Sequence, residues 1–99
     1  MASTPAPLTA HAAALQRLGD LKGRLELSAR RWQQVQQLVP ATMRALVKPG
    51  ACDDFDWCIV VAHAAAAAKL RHIVPDLEQA LEQREGRKVS VRLRVSANG

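Results

Sequence analysis

The stretch that leaves this chain fewest options is Ile59 to Gly86, where a short apolar strand pattern runs straight into a long helical one. From Leu70 the large apolar residues fall at Leu70, Ile73, Val74, Leu77 and Leu81. That spacing lays one continuous stripe along a helix of 3.6-residue period. Lys69, Arg71, His72, Asp76, Glu78, Gln79, Glu82 and Gln83 lie off the stripe, where a solvated face belongs. Ala64 to Ala68 carry only methyl groups, so the first turns can lie close against whatever they cover. Such a helix needs a sheet beneath it, and the rest of the chain reads as the parts of that sheet.

Pro75 interrupts the pattern, because it removes one backbone donor and its ring clashes with the carbonyl of Arg71. The helix therefore kinks there, or stops at Val74 and restarts with Pro75 at its first position and Asp76 and Glu78 in the first turn. Gly86 closes it. Lys88 to Val95 then alternates without exception: Val89, Val91, Leu93 and Val95 against Lys88, Ser90, Arg92 and Arg94. A strand with one buried and one wet, basic face follows from that alternation.

Ahead of the central stretch, residues 1–9 read as a disordered leader, beginning with the proline-punctuated MASTPAP. Leu8 to Leu18 reads as a short helix that Gly19-Asp20 can end. From Leu21 a second helical stripe runs through Leu25, Trp32, Val35 and Val39 to a stop at Pro40, with Trp32 as its anchor. Met43 to Lys48 fits a strand, Pro49-Gly50 a turn, Ala51 to Asp56 an acidic connection and Trp57 to Val61 a second strand. The order helix, helix, strand, strand, helix, strand makes an α+β two-layer domain over residues 10–95, helices on one face of a three-stranded sheet. Residues 96–99 are expected to fray.

At 99 residues the chain makes one domain, and its 48% apolar content overstates the core because 18 residues are alanine. Cys52 and Cys58 are too few for a disulfide framework, which favours a reduced, cytoplasmic setting. The longest apolar run, Cys58 to Ala68, is interrupted by His63 and far short of the ~20 residues of a membrane span. Neither membrane nor small-molecule substrate is expected as a partner. No Walker A loop, dinucleotide fingerprint or nucleophile elbow occurs. His11, His63 and His72 have no partner at i+4 and no nucleophile nearby in sequence. Cys52, Asp53, Asp54, Asp56, Cys58 and His63 match no zinc-site spacing. The chain is thus read as non-enzymatic, without metal or cofactor.

What remains is charge. The formal net charge is +5, with a pI near 10.0, which points to a polyanionic partner. If the strands keep register, Arg44 and Lys48 from the first and Arg92 and Arg94 from the last share the sheet face that no helix covers. Arg87 and Lys88 lead into that last strand, and no acidic residue lies between Arg87 and Val95. Such a surface can track a phosphate backbone. The same outward charges would also keep an open sheet soluble and guard its edges. Arg30 and Arg31 fit ordinary exposed helix positions. Trp32, Phe55 and Trp57 are the only aromatics and both tryptophans belong in the core, so base stacking has little to work with. The competing expectation is a protein–protein adaptor, docking through a sheet edge or the Leu8–Leu18 helix without touching nucleic acid.

Taken in order, Trp32-Gln-Gln-Val35, Val47-Lys48-Pro49-Gly50, Trp57-x-Ile59-x-Val61, Ala67-Ala68-Lys69-Leu70-Arg71 with Pro75, Leu77 and Leu81, and the terminal Val-x-Val-x-Leu-x-Val strand resemble the DciA family. The resemblance spans about Leu15 to Val95 and rests on patterned apolar positions. It implies a KH-like domain that binds DNA, favoured over RNA, and takes part in loading the bacterial replicative helicase during DNA replication. The chain departs from the family's pattern near Ala66, where members usually carry tryptophan. It also lacks the GxxG loop of KH domains, so backbone clamping of that kind is not implied.

Overall fold

A computed structural model describes residues 5–96, with side chains from residue 19 onward. It is an α+β domain with helices on one face of a three-stranded sheet. Met1 to Thr4 of the expected leader, and Ala97 to Gly99 of the expected tail, lie outside the described residues.

The first helix, α1, is Pro5–Val35. It runs through Gly19-Asp20, where a break was expected. Glycine inside a helix costs about 1 kcal/mol against alanine and does not by itself end one. A left-handed residue would have ended it, and Gly86 is the only positive-φ glycine among the described residues. The helix tightens into a 3-10 turn at Gln36–Leu38 before Pro40. A second 3-10 segment, Ala41–Leu46, then takes most of the place expected for the first strand.

Strand β1 is Val47–Cys52, so Pro49-Gly50 lies within a strand and is not the hairpin turn. Proline is tolerated there because β1 is an edge strand, where a missing N–H breaks no ladder. Register slips between Pro49 and Cys52, a bulge. Gly50 is required by close approach: a Cβ there would sit 2.9 Å from the Cys58 carbonyl oxygen. The actual turn is built by Asp53, whose carboxylate accepts from the amides of Phe55 and Asp56, both at 2.8 Å. Those two backbone hydrogen bonds hold the Asp53 carboxyl below its usual value.

Strand β2, Asp56–Val61, pairs antiparallel with β1 and parallel with β3, Ser90–Val95. The sheet is therefore mixed, with β2 in the centre. Between β2 and β3 the chain crosses over through α2, Ala64–Leu70, and α3, Val74–Glu85. Helix α2 starts on His63, whose Nδ1 accepts from the Ala66 amide at 3.1 Å. The break at Pro75 is real: Pro75 sits in the first turn of α3 with Asp76, and Gly86 ends it at φ 75°. Strand β3 starts two residues later than Lys88, since Lys88 and Val89 have no strand partner.

The core joins Trp57, Ile59, Val61 and Val91 of the sheet to Val35, Leu70, Leu77 and Leu81 of the helices. Each such side chain contributes about 1.5–3 kcal/mol by leaving water. Trp57 is fully buried, and its indole donates to Ser28 Oγ at 2.9 Å. Ser28 in turn donates to the Gly50 carbonyl at 2.7 Å, so α1 is fixed to both β1 and β2. Trp32, the expected anchor, is only half-buried at the margin.

Arg31 overturns the expectation of an exposed helix position: its exposure is 0%. Its Nε and Nη2 donate to the two carboxylate oxygens of Glu85 at 2.8 and 2.9 Å. Nη1 donates to the carbonyls of Asp53 and Asp56, and Nη2 also to that of Asp54. All five guanidinium N–H groups thus have acceptors, which is what lets a charged side chain stay inside. Burial works against that charge, but the hydrogen bond and charge of Glu85 outweigh it and hold Arg31 more firmly protonated than usual.

Candidate nucleic-acid interface

The pairing settles which side chains share the outer face. Trp57, Ile59 and Val61 are buried on the helix side, so Asp56, Cys58 and Val60 point outward. Their cross-strand neighbours follow: Lys48 pairs with Val60 on one side and Arg94 pairs with Val60 on the other, while Arg92 pairs with Cys58. Lys48 and Arg94 therefore lie in one row across the sheet, about two strand spacings or ~10 Å apart at the backbone. Arg92 stands one step down the same face from Arg94. All three are exposed.

The electrostatics of this face are lightly compensated. Asp56 reaches Arg92 at 3.4 Å, with the two side chains 42% and 72% exposed. A pair so wet is worth about 0–1 kcal/mol, and a phosphate can replace the carboxylate at little cost. No acidic partner within salt-bridge distance is seen for Lys48 or Arg94 among the described residues.

The other expected residues fall elsewhere. Arg44 lies in the second 3-10 segment, where strand alternation does not apply. Its Nε donates to the carbonyls of Gln36 and Val39 at 3.0 and 3.1 Å, so it holds the 3-10 turn that follows α1 and does not join the sheet face. Arg87 follows Gly86 at the hairpin end of the domain, with its guanidinium 5.7 Å from the Phe55 ring centre and 3.8 Å from Asp54. Lys88 lies outside β3 and lines a groove with Glu78, Gln79 and Glu82 of α3. The helix side of the sheet, not the open face, is its neighbourhood.

In exchange the fold brings in Arg24, which sequence reasoning passed over. It lines a cleft of about 490 Å³ with Cys58, Arg92 and Arg94, whose wall also includes Cys52 and the carboxylates Asp53 and Asp56. Arg24 precedes Ser28 by four positions and Arg31 by seven, which is the sheet-facing side of α1. That spacing is the signal that could have found it. Its backbone is fixed there, since the Cys52 thiol donates to the Arg24 carbonyl at 3.1 Å.

The two thiols stand on opposite faces. Cys52 is buried, and burial pushes its thiol up from the usual value. Cys58 faces outward beside Arg92. Among the described residues no group of three or more His, Cys, Asp or Glu side chains is placed to hold a metal ion. No helix among them is long and apolar enough to cross a membrane. No protein-family model matches the chain, and no curated protein matches it.

Proposed function

We propose that this chain is a non-enzymatic nucleic-acid-binding module that grips the phosphate backbone with the open face of its sheet. The observation that supports this reading is the shared outward face of Lys48, Arg92 and Arg94, extended by Arg24 across the cleft. Their side chains are exposed and little compensated, which suits sequence-independent phosphate contacts. The resemblance to the DciA family extends the proposal to DNA over RNA. It also suggests a cytoplasmic role beside the replicative helicase during DNA replication.

An anisotropy titration of single- and double-stranded DNA at several salt concentrations tests it. Four neutralised phosphates give log K falling against log salt with a slope of about −3 to −4. Arg92→Glu with Arg94→Glu abolishes binding and leaves thermal stability nearly unchanged, because both side chains are exposed. Binding that ignores salt, or none at low salt, overturns the proposal.

One observation favours a second reading, a protein–protein adaptor without nucleic acid. Leu21 and Leu25 of α1 are 53% and 61% exposed, one helical turn apart. Capture of a protein partner that survives the double charge reversal, together with no DNA binding, supports the adaptor.

A further inference from the structure

We infer that the free edge of β3 is a docking site for an extended peptide that alternates apolar and acidic residues. The sheet order β1-β2-β3 leaves β3 on one margin. The amides of Ser90 and Ser96 donate into the central strand region, to the carbonyls of Phe55 and Val61, both at 2.8 Å. Backbone groups alternate along a strand, so those of Arg92 and Arg94 turn the same way. Those of Val91, Leu93 and Val95 turn outward. The Val91 amide is already taken by Glu78 Oε2 of α3 at 2.8 Å. From Leu93 onward no such cover is present among the described residues.

Two further features say what fits there. Val95 pairs with fully buried Val61 and so faces the helix side, yet it is 41% exposed. Leu93 beside it is half-buried. The core is therefore unfinished along this margin, and an apolar side chain on an added strand would complete it. On the other face the added strand's alternate side chains would stand next to Arg92 and Arg94, which selects carboxylates. The same pair of arginines disfavours a second copy of β3, whose like charges would lie opposite them. Natural sheets guard open edges with bulges, proline or charge; β3 has no bulge or proline between Ser90 and Val95, and its guarding charges, Arg92 and Arg94, repel cationic strands and not acidic ones. Main-chain pairing would supply the affinity and the alternating side chains the selectivity.

The test uses the full chain and a short fluorescent peptide alternating valine and glutamate, with a valine–lysine peptide as control. The glutamate peptide binds and the lysine peptide does not; Arg92→Glu with Arg94→Glu reverses that preference. Val95→Pro removes an outward amide without breaking the ladder to β2, and weakens peptide binding roughly three- to tenfold. It leaves DNA binding as it was, so failure of this inference is distinguishable from failure of the nucleic-acid reading. Hydrogen exchange on the unaltered chain supplies a second readout: the Leu93 and Val95 amides slow when the peptide is added. Equal binding of both peptides, full binding by a folded Val95→Pro variant, or unchanged exchange at those two amides overturns the inference. So does self-association through β3 in place of peptide binding.

Discussion

Arg31→Met keeps the apolar stem of the side chain and deletes its charge. The variant leaves the Glu85 carboxylate, 16% exposed, without its cation, and the carbonyls of Asp53 and Asp54 without the guanidinium donor, while that of Asp56 keeps only the Asp53 amide. Removing one partner of a buried ion pair costs about 3–5 kcal/mol. Water can reach part of this site, since Asp53 and Asp54 are exposed, so the lower end applies, about 3 kcal/mol. For a domain of this size that lowers Tm by about 12–24 °C. Denaturant unfolding and calorimetry at neutral pH measure it directly. A second variant separates charge from packing. Arg31→Met with Glu85→Leu removes both charges together, leaves no unpaired ion, and is more stable than Arg31→Met alone. If Arg31→Met unfolds within about 1 kcal/mol of the parent, or the double variant is the weaker one, the guanidinium does not hold the hairpin and α3 to α1.

Gly50→Ala places a Cβ against the Cys58 carbonyl oxygen and 3.2 Å from Val60 Cγ2, and costs about 1–3 kcal/mol in denaturant unfolding. An effect near zero would mean that β1 lies farther from β2 than described. Asp53 supplies the pH prediction. Its folded value is depressed, so its contribution is present above the unfolded value of about 3.9 and is lost as pH falls through the lower folded one. Asp53→Asn keeps an acceptor for the turn but cannot titrate, and the fall of stability with acid below about pH 4 is shallower in it; equal slopes refute the assignment.

The parts of the fold that were legible are those where local chemistry and tertiary packing agree. The alternation of Lys88 to Val95 gave β3 and the outward side of Arg92 and Arg94. Pro75 and Gly86 marked both ends of α3 because one lacks a donor and the other adopts a left-handed backbone. The illegible parts are those where long-range contacts override local preference. Pro49-Gly50 has turn chemistry, but an edge position and a close crossing by Cys58 make it strand. Arg31 has surface chemistry, and only the convergence of Glu85 with three hairpin carbonyls, distant in sequence, makes it core. Arg44 was assigned to the sheet face by a strand pattern that a 3-10 segment does not follow. Arg24 reaches the site from a helix, which strand alternation cannot reveal.

The parallel pairing of β2 with β3 has a consequence for how the basic surface comes into being. Lys48 belongs to a hairpin paired locally in sequence, whereas Arg92 and Arg94 join it only by closing the longer loop that contains both helices. Until that long loop shuts, the cations are strangers to one another. The shared basic face is thus a property of the finished molecule alone, and a half-folded chain presents no such cluster of charge.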